Sequence, residues 1–232
     1  MYIQITDHCN MKCAHCAFSC GPKKKRFMTL DTFRGAIEFI GDDSIAIGGG
    51  EPTLHPQFWA FIGYALGSCE DVWLATNGSQ TEITVKLANM ARRGIIGCDL
   101  SIDFYHDQID DRARKAFSNL RSSYNDMRAI RDVSYKVKKR GRAVRTSTWA
   151  EEGCACEGIM VDPDGDIFTC GCRKLKIGNV HTGYNEAGNR HIEVVYDGGI
   201  WDGVAVDSCL FTSTEDKAKY RAFVKWLKGE VV

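Results

Sequence analysis

Three cysteines, Cys9, Cys13 and Cys16, fall within eight residues in the run Cys-Asn-Met-Lys-Cys-Ala-His-Cys. Thiolates at that spacing suit an iron–sulfur cluster and a zinc ion alike, and Cys13 with Cys16 alone also fits a redox Cys-x-x-Cys pair. Three ligands are evident in the run and a fourth is not. A cubane cluster held by three thiolates keeps one iron open for a small molecule, much as a catalytic zinc keeps one coordination position open. Cys20 would complete the set as the fourth thiolate of a zinc site.

A second cysteine group lies far downstream. Cys154 and Cys156 precede a predicted hairpin, in which 159–161 and 167–169 flank Asp162-Pro163-Asp164-Gly165-Asp166, and Cys170 and Cys172 follow it. A turn of that kind brings the two flanking pairs together, in the geometry of a shared metal. Cys209 is a candidate distal ligand. Cys69 and Cys98 have no cysteine neighbours and read as small buried hydrophobes.

The elements that must position these groups alternate between two periods. Short apolar runs at 3–6, 44–47, 72–76 and 98–103 read as strands. Between them, Leu30, Phe33, Ile37 and Ile40 fall at helical spacing, with Thr29 as cap and Gly41 as stop. Phe58, Phe61, Ala65 and Leu66 mark a second helix, and Ile83, Leu87, Met90 and Ala91 a third that ends at Gly94. A weaker helix is expected over 124–139, a fifth strand over 143–148 and a closing helix over 216–228. Strands alternating with helices imply a parallel sheet, because each crossover needs a helix to return the chain. A full eight-unit barrel needs more chain than this, so the expected fold is α/β: a partial (β/α) barrel of parallel strands with a small cysteine-rich C-terminal hairpin and helix. The boundary is placed near residue 150, giving a core over 1–149 and an extension over 150–232.

Composition narrows the setting. The 232 residues carry 30 basic and 30 acidic side chains, which removes any global argument for a nucleic-acid or anionic-membrane partner. No apolar run approaches the roughly 20 residues that span a bilayer, and the start has no basic-then-apolar signal layout. Eleven cysteines, an odd number clustered at short spacings, then read as metal or redox groups in a reducing cytoplasm rather than as disulfides.

Polar signals sit at the carboxyl ends of successive strands, where parallel α/β folds collect ligands. Gly49-Gly50-Glu51-Pro52 ends the second, Asn77 the third, and Ser101 and Asp103, two apart and hence on one face, the fourth. Each has a bland reading as a turn or a cap. Their order behind a three-cysteine loop resembles the radical S-adenosylmethionine (SAM) superfamily over roughly residues 2–108. The CxxxCxxC and GGEP motifs carry the likeness.

The resemblance implies a [4Fe–4S] cluster on Cys9, Cys13 and Cys16, whose open iron binds the amino and carboxylate groups of SAM. Electron transfer then yields a 5′-deoxyadenosyl radical that abstracts a substrate hydrogen. It further implies SAM contacts from Gly49, Gly50, Glu51, Pro52, Asn77, Ser101 and Asp103. His15 stands where an aromatic residue usually meets the adenine. Arg145 and Ser147 stand roughly where fifth-strand contacts would come. From Cys154, ten residues precede Gly165 and four more precede Cys170, a spacing similar to the SPASM and twitch extensions. That implies an auxiliary iron–sulfur cluster on Cys154, Cys156, Cys170 and either Cys172 or Cys209, with a four-thiolate zinc site as the rival.

The expected activity is modification of a peptide or protein side chain, with an electron donor such as flavodoxin or ferredoxin. The alternative is a nucleotide, nucleic-acid or phosphorylated small-molecule substrate, which the basic stretches 23–26 and 136–145 would favour if they line the barrel mouth. Such runs are usually solvated faces. Tyr105, His106 and Asp107 are candidate substrate contacts, with His106 read first as a surface loop residue. Outside enzymology, the readings are a zinc-stabilised interaction module and an iron–sulfur electron-transfer protein.

Overall fold

The computed structural model describes residues 1–41, 44–122, 129–132, 137–149, 158–173 and 175–186. Nine strands make one sheet in the order β5-β4-β3-β2-β1-β6-β7-β8-β9. Five of them, β1 (Tyr2–Thr6), β2 (Ser44–Gly49), β3 (Asp71–Thr76), β4 (Gly97–Ser101) and β5 (Ile130–Arg131), run parallel to their neighbours. The helices α1 (Leu30–Ile40), α2 (Phe58–Ser68) and α3 (Thr81–Arg92) carry the chain between them, as parallel pairing requires. This is a partial-barrel α/β fold.

Each strand sorts its residues by parity. Ile3 and Ile5, Ile45 and Ile47, Val72 and Leu74, Cys98 and Leu100 are buried in the main core with Phe33, Phe61 and Leu87 of the helices. The alternate positions Trp73, Ala75, Ser101 and Arg131 line a cavity instead. The period-2 side-chain direction of a strand thus separates core from site. Helix α1 has the two ends read from its sequence. Thr29 accepts from the Thr32 N–H at 3.1 Å, and Gly41 adopts a left-handed φ of 62° with its N–H on the Ile37 carbonyl.

Beyond the core sheet, β6 (Met160–Val161) pairs parallel with β1, and β7 (Asp166–Phe168) returns antiparallel to β6. The predicted hairpin therefore forms and continues the core sheet. Two further antiparallel strands, β8 (Lys176–Asn179) and β9 (Gly183–Tyr184), extend it.

Three local expectations are revised. Residues 143–148 are not a strand: α5 (Arg142–Thr146) occupies them, because the Arg142 N–H and guanidinium are tied to the cysteine loop. The 124–139 helix gives way at Ile130–Arg131 to the short strand β5, whose residues pair with Leu100 and Ser101. A seven-residue helix α4 (Asp111–Phe117) precedes it, with Asp110 accepting from the Arg112 N–H at 2.8 Å. The fourth strand also stops at Ser101 rather than Asp103. Cys154, Cys156, Cys209, the predicted helix over 216–228 and much of 124–139 lie outside the described residues.

Candidate active site

The cysteine loop leaves the end of β1 and is tied at its base. The Cys9 N–H donates to the Gly21 carbonyl, and the Gly21 N–H donates to Asp7, both at 3.4 Å. Within the loop, Cys9, Met11 and Cys20 are buried, with Cys13, Cys16 and Phe18 packed against them. Helix α5 grips it from outside: the Arg142 N–H donates to the Cys16 carbonyl at 2.9 Å, and its guanidinium to the carbonyls of Cys13 (2.7 Å) and Cys20. Gly141 is needed for this approach. Its φ is 59°, and a Cβ there would lie 2.6 Å from the Cys16 oxygen.

The second strand meets the loop from the other side. The Gly50 N–H donates to the Thr6 carbonyl at 2.8 Å and the Glu51 N–H to His8 at 2.9 Å. A Cβ on Gly50 would sit 2.6 Å from the His8 carbonyl carbon and 2.7 Å from the Cys9 Cβ, so only glycine allows this contact. Glu51, 1% exposed, is a buried hub rather than a surface acid. Its Oε1 accepts from the Thr53 N–H, the Thr53 hydroxyl and the Thr76 hydroxyl, and its Oε2 accepts from the Asn77 N–H at 2.7 Å. It thereby fixes the ends of β2 and β3 together. Burial pushes its carboxyl up, and these four bonds pull the other way. Asn77 in turn points its Nδ2 at Asn10 Oδ1 (3.1 Å) and Cys9 Sγ (3.7 Å).

The result is one cavity of about 350 Å³. Cys9, Cys13 and Cys16, His15, Gly49, Gly50, Glu51 and Pro52, Asn77 and Ser101 all line it. Asp103 is turned into a neighbouring cluster: its Oδ1 accepts from His106 Nδ1 and from the Tyr105 N–H, and its Oδ2 is 3.4 Å from His15 Nε2. His15 stacks on Tyr105 at 4.7 Å between ring centroids. Burial lowers the His15 pKa, opposed by Asp103. At Asp103 burial pushes upward most strongly, but the bonds from His106 and the Tyr105 N–H and the charges of His106 and His15 together outweigh it, and the carboxyl is held below its ordinary range. His106 is not a free loop residue, because its side chain is 12% exposed and it faces the cavity.

The thiols are unequal. Burial pushes Cys9 up to about 11 and Cys13 up to about 12, with neighbouring thiols and Asp103 adding at Cys13. Cys16 moves down, because the Cys20 thiol bonds to it and the Cys20 N–H donates to its Sγ at 3.3 Å. The Cys20 sulfur itself accepts from the fully buried Gln4 amide at 3.4 Å. Cys16 is thus the readiest thiolate, and Cys9 and Cys13 call for the positive charge of a metal to release their protons. Three soft donors on one cavity wall, beside a glycine cradle that a Cβ would fill, fit a cluster with an open iron and a small ligand against it.

Of the second cysteine group, Cys170 is buried and makes no disulfide, and Cys172 is disulfide-bonded. Arg145 reaches Ser19 at 3.3 Å on the surface, and Ser147 is the left-handed cap of α5 with φ 52°. Cys98 is buried and Cys69 half-buried. Several residues that line the cavity carry no motif signal, namely Tyr2, Phe18, Trp73 and Arg131. Strand parity would have found Trp73, whereas Phe18 and Arg131 depend on loop and register placement.

A three-thiol loop at the mouth of a partial parallel barrel, backed by a glycine-rich strand end, defines an enzyme class built to hold a cluster and a small cofactor. The radical SAM superfamily model matches residues 3–139, and the chain belongs to that superfamily. Its members are enzymes that use a [4Fe–4S] cluster and SAM. Among individual relatives, the GTP 3′,8-cyclase of Mannheimia succiniciproducens is 32% identical over 109 residues, which are 44% of this chain and 32% of that protein. The mycofactocin maturase MftC of Mycolicibacterium smegmatis is 29% identical over 115 residues, 48% of this chain and 29% of that protein. The chain therefore matches about a third of the length of these relatives. The fold is shared with Streptococcus suis SuiB, solved bound to its precursor peptide SuiA, at a TM-score of 0.52 and 15% identity over 80% of this chain and 64% of that one. Among the described residues, no helix is long and apolar enough to cross a membrane.

Proposed function

We propose that this chain is a radical SAM enzyme that modifies a peptide or protein side chain. The observation that carries the reading is the single cavity in which the three loop thiols face the Gly49–Pro52 turn, Asn77 and Ser101. Cys9, Cys13 and Cys16 would hold the [4Fe–4S] cluster. When bound, the reduced cluster supplies the electron that cleaves SAM to a 5′-deoxyadenosyl radical. Gly49 and Gly50 would let backbone lie close against SAM, Glu51 locks the ends of β2 and β3 together, and Asn77 and Ser101 would offer side-chain polar atoms to SAM. His15, backed by Asp103 and Tyr105, would meet the adenine. The apolar walls, Trp73 and Ala75 among them, exclude water from the space where substrate must enter.

Peptide substrates are favoured because a relative is named as a maturase and a neighbour in fold was solved with a precursor peptide. Residues 1–149 form the catalytic core, and 150–232 contribute an auxiliary iron–sulfur site from Cys154, Cys156 and Cys170 with Cys172 or Cys209. A disulfide at Cys172 and ligation by Cys172 exclude each other, so reduction precedes loading if Cys172 is a ligand. The free thiols suit the cytoplasm, where flavodoxin or ferredoxin would supply the electron.

The test is anaerobic iron and sulfide analysis with a dithionite-driven assay for 5′-deoxyadenosine. Roughly eight irons per chain with product formed supports both clusters, and roughly four leaves the second group to zinc or a smaller cluster. Zinc alone, without SAM cleavage, overturns the proposal in favour of a metal-stabilised binding module. Cys13→Ala should abolish cleavage, and retained cleavage in that variant would contradict the ligand assignment.

A further inference from the structure

We propose that Cys20 is a positioning residue of the cluster loop: its thiol and its N–H both bond to the Cys16 sulfur and make a cluster held by that sulfur easier to reduce. The proposal rests on the reading of Cys9, Cys13 and Cys16 as a [4Fe–4S] site and adds what sets the potential of that site.

The loop carries a fourth cysteine that the three-ligand motif does not use. Cys20 is 2% exposed and lines the same cavity as the other three. Its N–H donates to Cys16 Sγ at 3.3 Å, and its thiol makes a second bond to the same sulfur. Ligation takes the proton from Cys16, so in the loaded site the proton between the two sulfurs belongs to Cys20. The Cys20 sulfur is held from behind by the Gln4 amide, which donates to it at 3.4 Å. Gln4 is fully buried on β1, and its Oε1 has no partner among the described residues. An unmet buried oxygen is a cost, and the contact this side chain does make is the one that leaves the Cys20 proton free for Cys16.

The backbone between the two sulfurs brings them together. The Ser19 N–H donates to the Cys16 carbonyl at 3.3 Å, closing a turn, and Ser19 is a non-glycine residue at φ 55°. Such a conformation costs energy and persists where the surroundings hold it. Here they do. Arg142 takes the Cys16 carbonyl on its N–H and the Cys20 carbonyl on its guanidinium. Arg145 reaches the Ser19 hydroxyl at 3.3 Å, and on the other side the Cys9 N–H donates to the Gly21 carbonyl. Both Cys20 donors are therefore fixed on Cys16 by the loop itself.

Hydrogen bonds to the sulfurs of a cluster raise its reduction potential, because the reduced form carries the extra negative charge that they stabilise. Such bonds count for more in a buried, weakly polar place than at the surface. Cys20 thereby lowers the strength of reductant that the first step of the reaction needs.

Redox titration of the anaerobically reconstituted full chain, followed by electron paramagnetic resonance, tests the proposal. The cluster in question is the one whose signal changes when SAM is added, which separates it from any second cluster. In Cys20→Ala it should be roughly threefold or more harder to reduce at a given potential, a negative shift of about 28 mV or more for a one-electron couple. Cys20→Ser keeps a donor and should lie close to wild type, which separates the lost bond from lost packing. Gln4→Leu releases the Cys20 sulfur and should shift the potential the same way by a smaller amount. Should Cys20→Ala not fold, Cys20→Val fills the space without a donor and reads the same shift. An unshifted potential in the donor-free variant overturns the proposal. So does a positive shift in Gln4→Leu, because Gln4 would then have competed for the thiol proton. A folded Cys20→Ala protein that retains no SAM-responsive cluster overturns it too, because Cys20 would then be a ligand. Wild-type protein with no SAM-responsive cluster fails the enzyme reading itself, whereas a responsive cluster with no shift on loss of the Cys20 thiol fails this proposal alone.

Discussion

Adding one methyl group at Gly50 should do more damage than its size suggests. Gly50 does not adopt a left-handed φ, so the objection to alanine is steric. The new Cβ would stand 2.6 Å from the His8 carbonyl carbon and 2.7 Å from Cys9 Cβ, where ordinary contact begins at 3.4 Å. Neither obstacle is the end of a flexible side chain, so the strand end must retreat by roughly an ångström. That retreat breaks two backbone bonds, Gly50 N–H to Thr6 and Glu51 N–H to His8, each worth about 1 kcal/mol net. Overpacking adds about 1–3 kcal/mol, so Gly50→Ala should cost about 3–5 kcal/mol. A loss of that size is a large share of the stability of an ordinary domain. Gly63 supplies the contrast. It lies inside α2 with nothing within 4 Å of its would-be Cβ, so Gly63→Ala should stabilise by about 0.5–1 kcal/mol. Urea unfolding of the two variants beside wild type reads both values, and the 5′-deoxyadenosine assay should fall sharply only in Gly50→Ala. A Gly50→Ala protein with the wild-type midpoint and wild-type cleavage would refute the claim that the glycine turn and the cysteine loop are in contact.

Arg142→Ala removes a charged donor from the carbonyls of Cys13 and Cys20. Reconstituted protein should lose iron on desalting, and Arg142→Lys should restore little because it lacks the fork; iron content equal to wild type would remove Arg142 from loop control. Arg26 bridges Asp7 at 2.8 Å, Asp162 at 3.2 Å and Asp164 at 2.6 Å, with Asp7 and Asp162 nearly buried. Discounted for its own partial exposure, Arg26→Ala should cost about 2 kcal/mol in urea unfolding, and a change within error would show that the hairpin turn docks without it. Asp103 is held below the usual carboxylate range, so it contributes stability above about pH 4 that is lost as pH falls through its lower folded value. In Asp103→Asn that acid-side loss should flatten, and an unaltered stability–pH profile would place Asp103 outside this balance.

Much of the core was legible because its signals are local. Thr29 and Gly41 bound α1 where helix chemistry places a cap and a left-handed stop, and the apolar runs marked β1 to β4 to within a residue or two, apart from the overrun at Asp103. The residues from Gly49 to Ser101 meet in one cavity because each ends a parallel strand, which period and order alone convey. What local chemistry could not convey was long-range. Val144, Thr146 and Thr148 favour a strand by type, yet α5 forms because Arg142 finds its acceptors on a loop some 125 residues earlier in the chain. Ile130 and Arg131 look helical in a basic, polar stretch, and become a strand through pairing with Leu100 and Ser101. His106 looks like a loop residue until Asp103 turns it inward. Glu51 was legible as a motif residue but not as the acceptor of four bonds, since its partners come from two other parts of the chain.

The pairing of β6 with β1 has a consequence for solubility. An open parallel sheet built from β1 to β5 alone would end on β1, whose Ile3 and Ile5 are fully buried and whose unpaired side is a template for a second chain. The strands from 160 onward occupy that side. Among the described residues they shift the two termini of the sheet to β5 and β9, each two residues long. Short edges of this kind offer a stray strand little to grip. The hairpin between the cysteine pairs is therefore also a guard against self-association, and a chain cut at residue 149 should aggregate through β1 whatever becomes of its chemistry.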